Sequence, residues 1–298
     1  MQKRTILSFF FFTFLGISYL FPQELEISGG MGNILFDQGR SSSLGQDGES
    51  FMPVLSPFGL IRIMGEHGNN SYDIGFEIDP ILRNRLYANY IWDFEYLVIE
   101  AGPFLNIVRS RVLPVNPGIS AGLTLQYPGI IFAQGSVSST FAYFFREKTG
   151  FHNIYSANLS LGFWIPHVIC SFNMDIQNFT IRETENLIIE DMLERWYFRA
   201  NIFAKNVPYT IIMDIGYQNL KRAYTGSTVI GGNVNRATET DQLHSIFTNI
   251  EGMITINHRI KLILGGFLPI FSWSELPMLN PPRDTTLFQA NAGVILSF

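Results

Sequence analysis

Apolar and polar residues alternate with a period of two along most of this chain. From Ser71 to Asp79 the even positions Tyr72, Ile74, Phe76 and Ile78 are apolar, and the odd ones are Ser71, Asp73, Gly75, Glu77 and Asp79. Because successive side chains of a strand point to opposite faces, this pattern predicts a strand with two chemically different sides. Arg85 to Phe94 repeats it, as do runs beginning at Leu97, Ile119, Ile131, Tyr155, Val168, Trp196, Tyr209, Ile246, Ile260 and Phe288. With Leu25 to Met31 and the less regular Val54 to Met64, fourteen strands are predicted. In the twelve regular ones every charged residue falls on the polar face.

A β-sandwich also alternates, but it packs its apolar side into a core and closes a domain in about 100 residues. Here the strands follow one another without a linker, and most have the length of about 9 to 11 residues or more that a tilted strand needs to cross a bilayer. The expectation is an all-β protein, a transmembrane antiparallel up-and-down β-barrel of about 14 strands occupying residues 24–298 as one domain. Twelve strands would result if Leu25 to Met64 stayed outside the barrel.

The connections alternate in length, as they do in such barrels. Phe94 to Tyr96, Tyr127 to Gly129, Trp164 to Pro166, Lys205 to Val207 and Asn257 are tight, and Gly65 to Asn70 is slightly longer. Between them lie Leu35 to Met52, Arg109 to Asn116, Phe141 to Gly150, Asn178 to Met192, Leu220 to Gln242 and Phe271 to Asp284, read as external loops; only Pro80 to Asn84 is short on that side. An even strand count puts both termini on the tight-turn side. Aromatic residues then fall near both rims of the apolar face: Phe94, Tyr127, Phe163, Tyr209, Tyr72 and Phe298 at one, Tyr217, Trp196, Phe288 and Phe151 at the other. Two such girdles mark the two membrane interfaces.

Composition agrees. The chain has 298 residues, 47% hydrophobic and only 15% charged, with a net charge of -5, whereas an ordinary soluble domain carries roughly 25% charged residues. So apolar a chain does not stay disordered, and a single cysteine, Cys170, rules out a disulfide scaffold or a cysteine zinc site. No block of Lys or Arg offers phosphate neutralisation, so no nucleic-acid partner is expected. Residues 1–23 combine a basic start (Lys3, Arg4) with an apolar stretch from Thr5 to Phe21, the layout of a cleaved signal peptide. The junction Leu20-Phe21-Pro22-Gln23 lacks small residues, so an uncleaved anchor is the alternative.

The last eleven residues, Phe288-Gln289-Ala290-Asn291-Ala292-Gly293-Val294-Ile295-Leu296-Ser297-Phe298, resemble the C-terminal signal of Gram-negative-type outer-membrane β-barrels, with a terminal aromatic and apolar residues at alternate positions before it. The resemblance implies an outer-membrane location and a barrel-assembly machinery that reads Val294, Leu296 and Phe298. The export junction is similar, more loosely, to spirochaetal signals. The likeness covers architecture and implies no narrower, porin-specific family. In a barrel of this kind about fourteen strands are wide enough for a pore; the first strand begins just after the signal, which leaves no room for an N-terminal plug of the fatty-acid-transporter type.

Parity assigns the inner wall. Its candidates are Asp73, Glu77, Arg85, Glu100, Asp175, Arg195, Arg199, Asp214, Glu251 and Lys261, joined by Glu26, Asp79, Asp93 and Arg259 and by many Asn, Gln, Ser and Thr. Charges of either sign need water or partners, because burying them dry costs several kcal/mol per ion. Two functions follow: a passive channel for small hydrophilic solutes, with a mild cation preference from the acidic majority, or a non-conducting barrel that displays Leu35 to Met52 and Tyr224 to Asp241 for adhesion or host interaction. In the second, mixed-sign charges fill and rigidify the interior. No enzyme is expected, and neither cofactor nor metal site: His152, His167 and His244 are placed on the polar side or near loops, Asp241 and His244 are the nearest acid and imidazole, and no His/Asp/Glu triplet has ligand spacing. The partners expected are outer-membrane lipid, the assembly machinery and the solutes.

Overall fold

Each alternating segment becomes a strand in the computed structural model, which describes residues 23–32, 56–79, 83–107, 115–127, 129–141, 151–184, 187–203, 207–230, 233–274 and 288–298. The strands are β1 (Glu24–Gly32), β2 (Ser56–His67), β3 (Asn70–Asp79), β4 (Arg83–Asp93), β5 (Leu97–Ile107), β6 (Val115–Tyr127), β7 (Ile131–Thr140), β8 (Phe151–Ile165), β9 (Val168–Thr184), β10 (Leu187–Phe203), β11 (Tyr209–Ile230), β12 (Asn233–Asn257), β13 (Ile260–Ser274) and β14 (Gln289–Ser297). Neighbours in sequence are neighbours in space, and the sheet closes by pairing β14 with β1. The signal segment and the loops 33–55, 108–114, 142–150 and 275–287 lie outside the described residues.

Closure decides the strand count. β1 pairs along its whole length with β14, from Glu24 opposite Ser297 to Gly32 opposite Gln289, and with β2, from Glu24 opposite Met64 to Gly32 opposite Ser56. The irregular first two strands therefore belong to the ring, and the count is fourteen rather than twelve. A closed ring leaves no strand with an unpaired edge, the condition hydrocarbon imposes on a spanning sheet. The β1–β14 seam is tight: a Cβ on Gly30 would lie 2.0 Å from the carbonyl oxygen of Ala290, so the glycine cluster of β1 is close-packed backbone.

The tight connections have the expected turn chemistry. Gly129 has φ of 76°, and the Ile130 N–H donates to the Tyr127 carbonyl at 3.0 Å; a left-handed conformation of this kind favours glycine. Gly68, with φ of 65°, turns β2 into β3. At the other end two segments read as loops are strand. β9 and β10 stay paired to Thr184 opposite Leu187, and β11 and β12 to Ile230 opposite Asn233. The expected loops Asn178 to Met192 and Leu220 to Gln242 are thus extensions of two hairpins. Beyond the lipid layer nothing requires one face to be apolar, so the alternation fades while the ladder continues.

Among the described residues the outer face carries the large apolar side chains. Ile61, Leu123, Leu161, Phe198, Ile215, Ile250 and Leu264 are all exposed, at positions of one parity on their strands. Phe94, Tyr96, Tyr127, Tyr209 and Phe298 are exposed at the tight-turn rim, and Trp196, Phe271, Trp273 and Phe288 at the other. An apolar belt on a surface otherwise exposed to water is unfavourable there and favourable in lipid: this is a transmembrane β-barrel. Two placements, Tyr72 and His244, differ from expectation. Tyr72 is buried with its ring over Gly65 rather than lying open at the rim. The Phe151 side chain lies outside the described residues. His244 is on the outer face, stacked 5.4 Å from the Trp273 ring, with its Nδ1 2.6 Å from the Tyr217 hydroxyl; it strengthens the aromatic rim instead of serving the polar side.

Candidate functional site: the inner wall of the barrel

The inner wall is built by every second residue of each strand, so its chemistry changes from strand to strand. Between β1 and β3, Arg62 makes a two-pronged bond to Asp73, with Nε to Oδ1 and Nη2 to Oδ2 both at 2.8 Å, while its Nη1 is 3.8 Å from Glu26 Oε2. Nearer the tight-turn rim, Lys261 Nζ donates to Glu24 Oε1 at 3.0 Å across the intervening β14. On β4 and β5, Asn89 Nδ2 donates to Glu100 Oε1 at 2.6 Å, and the Arg85 guanidinium lies 4.2 Å from the centre of the Phe104 ring. Cation and ring face attract each other, and the ring also shields the charge from solvent.

From β10 to β13 the wall is a network. Arg199 binds Asp214 through Nε and Nη2 at 2.8 and 2.9 Å, and Asn249 Nδ2 donates to the same carboxylate at 3.0 Å. Arg195 Nε donates to Gln218 Oε1 at 2.7 Å and holds its guanidinium 5.1 Å from the Phe267 ring. Farther out, Arg222 and Asp191 form a fully buried pair at 2.6 and 2.8 Å. Beneath them Leu193, Leu220, Leu243, Phe247 and Phe267 pack together, with Tyr197 against their edge.

That apolar cluster corrects the expectation of a uniformly polar interior. Phe104, Ile154 and Phe179 are also buried inside. Inner-wall glycines signal some of them: Phe104 covers Gly118, Phe132 covers Gly162 and Tyr87 covers Gly75, each ring lying where a Cβ would stand. A glycine at an inward position beside a strand that carries an inward aromatic is the pattern that marks such a filled spot. Residues half the circumference apart line one space of about 180 Å³: Glu77 on β3 and Arg195 on β10, with Leu60, Gln177 and Asn291 also on its wall. Side chains of opposite charge thus reach one space from opposite walls.

The remaining candidates are distributed. Asp175 accepts a hydrogen bond from Tyr197, while Glu100 and Glu251 have no ion-pair partner among the described residues. The side chain of Asp79 is outside the described residues. Arg62, Asp191 and Arg222 escaped the sequence reading, Arg62 because β2 alternates poorly and the other two because they lie in the hairpin extensions. No group of three or more His, Cys, Asp or Glu among the described residues could hold a metal ion.

No protein-family model matches the chain, and no curated protein matches it. Solved structures with a similar course of the chain include a bacterial polysaccharide outer membrane secretin (TM-score 0.44, 10% identity, 93% of this chain and 98% of that one). A loop-deletion mutant of OmpT, an outer membrane protein of Vibrio cholerae, matches with a TM-score of 0.42 at 6% identity over 93% and 99%. A BenF-like porin from Pseudomonas fluorescens matches with 0.36 at 8% over 93% and 98%. The site itself, a closed ring with an apolar outside and a largely polar, partly filled inside, is described by this chain's own residues.

Proposed function

We propose that this protein is a channel of the outer membrane of a diderm bacterium, exported by a cleaved signal peptide in residues 1–23, and that it passes small hydrophilic solutes with a mild preference for cations. The observation that carries the reading is the wall itself: a closed ring of fourteen strands whose inward Asn, Gln, Ser and Thr stand beside Glu100 and Glu251, two carboxylates without an ion-pair partner among the described residues. Groups of this kind keep an interior wet and draw cations into it. The terminal strand, with Val294, Leu296 and the exposed Phe298, is the element we assign to the assembly machinery; deletion of Phe298 slows membrane insertion under this reading.

Planar-bilayer recording of the refolded protein tests the channel. Discrete conductance steps in KCl, with a reversal potential that moves toward zero selectivity in Glu100→Gln and Glu251→Gln, are expected. Absence of steps overturns the reading. One observation favours a second function: Glu77 and Arg195 from opposite walls share one space, and the apolar cluster fills part of the interior, as in a barrel that serves as a rigid support for display. Deletion of Leu35 to Met52 then abolishes binding to host surfaces while the protein carries no current.

A further inference from the structure

One sector of the inner wall has no charge. Among the described side chains of β6, β7 and β8 the inward positions hold Asn, Ser, Thr, Gln and Gly with Phe132, Ile154 and Trp164, and no Asp, Glu, Lys or Arg. On the side where this sector meets β9 and β10 lies a cavity of about 270 Å³, lined by Gln134, Ser136, Asn158, Ser160, Asn173 and Asn201 among others. We propose that this cavity binds a small uncharged polyhydroxylated solute, of the size of a single sugar ring. The proposal deepens the channel reading and rests on it for the route by which the solute arrives.

The polar groups are available. Among the described residues Gln134, Ser136, Asn158 and Ser160 have no side-chain hydrogen bond to the protein, and Asn201 Oδ1 is buried without a partner. Asn173 uses its Nδ2 on Ser171, at 3.0 Å to Oγ, which leaves its Oδ1 as an acceptor. Elsewhere on the same wall comparable groups are engaged: Ser138 with Ser156 at 2.6 Å, and Thr140 with Asn153 at 3.1 Å. Asn116 and the Oε1 of Gln177 also lack partners elsewhere on the wall; what sets the cavity apart is that several such groups line one space.

Their arrangement selects the ligand. Ser136 stands opposite Asn158, Gln134 opposite Ser160, and Ser160 opposite Asn173, so donors and acceptors repeat at the strand spacing of about 4.8 Å. An amide offers both donor and acceptor, as a hydroxyl does, so a ring bearing several hydroxyls can engage several of them together. Among the described residues, the charged groups lining the cavity are Asp175 and Arg199. They have opposite signs, one is held by Tyr197 and the other is bound to Asp214, and the site offers an ion of either sign little net attraction. Phe132 and Tyr197 add ring faces for the C–H side of a sugar. The volume lies just under the roughly 300 to 1,000 Å³ of drug-sized sites, which suits a single ring, and the many amides and hydroxyls of the lining reject a wholly apolar ligand by being left unpaired.

The test uses the full barrel in a detergent without a sugar head group. D-glucose and mannitol are titrated by calorimetry, and by Trp164 fluorescence in a Trp92→Phe/Trp196→Phe/Trp273→Phe background; the three replaced indoles face outward, whereas Trp164 packs 4.9 Å from Phe132. Saturable binding of glucose is expected, weakened about tenfold in Asn158→Leu, the equivalent of losing one or two hydrogen bonds, and unchanged in Thr124→Val outside the cavity. A response that never saturates, equal affinity in Asn158→Leu, or tighter binding of gluconate or glucosamine than of glucose overturns the proposal. KCl conductance is recorded in parallel. Current without sugar binding sinks this site and leaves the channel; sugar binding without current supports the site and removes the channel.

Discussion

The inner faces of β6 to β9 and of β10 to β13 are adjacent sectors of one wall, made by the same alternation, and they treat polar groups in opposite ways. In the second sector Arg195, Arg199 and Arg222 are bound to Gln218, Asp214 and Asp191, and an apolar cluster packs between them. In the first there is little charge, and Gln134, Ser136, Asn158 and Ser160 stay uncommitted. The side chains that look most functional in a sequence are thus engaged with one another, while the plainer amides and hydroxyls face the lumen free. The reason is energetic. An unpaired charge in a partly filled interior is costly, so arginine and aspartate are retained where they satisfy each other; a neutral amide beside water has no such penalty and can wait for a ligand.

The contrast can be broken experimentally. The largest effect is expected for Asp191→Asn, which takes away the carboxylate that binds the buried Arg222 at two nitrogens and lowers the unfolding free energy by about 3 to 5 kcal/mol in micelles, read by urea titration. Leu193→Ala opens a cavity in the cluster next to it, with a cost of about 3 kcal/mol in the same assay. For Arg199→Gln about 2 kcal/mol is expected, because its charge-assisted bonds to Asp214 are lost although the arginine is 40% exposed while the aspartate is only 4%; the reversal potential in a KCl gradient also shifts toward cations. Ser138→Ala in the neutral sector removes one bond to Ser156 and costs about 1 kcal/mol or less. Equal losses for Asp191→Asn and Ser138→Ala would erase the difference between the sectors.

Much of the fold was legible in the chain, for a local reason. Ser71 to Asp79 can be assigned its two faces without knowing its neighbours, because the pleat alone puts Asp73 and Glu77 on the side opposite Ile74 and Phe76. The same reasoning lost its grip where lipid stops. Glu190, Glu194 and Lys221 stand on the strand face that is apolar lower down, so the extensions of β10 and β11 resemble loops in sequence while their ladder runs on. In β13 a bulge puts both Ile270 and Phe271 outside, Ile246 pairing with Phe271 and Phe247 with Pro269; one extra residue resets the parity of everything after it. Within the wall, Phe104 and Phe267 were invisible because parity counts which face is apolar and gives no signal for an apolar residue on the polar face.

The sequence by itself determined which side of the sheet each residue of a regular strand takes, that the outer side suits lipid, and that tight and long connections alternate, because pleating and solvation act on each strand separately. Only the tertiary structure decided that β1 meets β14, that Glu77 and Arg195 share a space across the lumen, that Arg222 finds Asp191, and that Asn158 and Ser160 find no side-chain hydrogen bond among the described residues. Those outcomes depend on the register between strands and on the curvature of the closed ring, which sum contributions from every hairpin and are carried by no single segment.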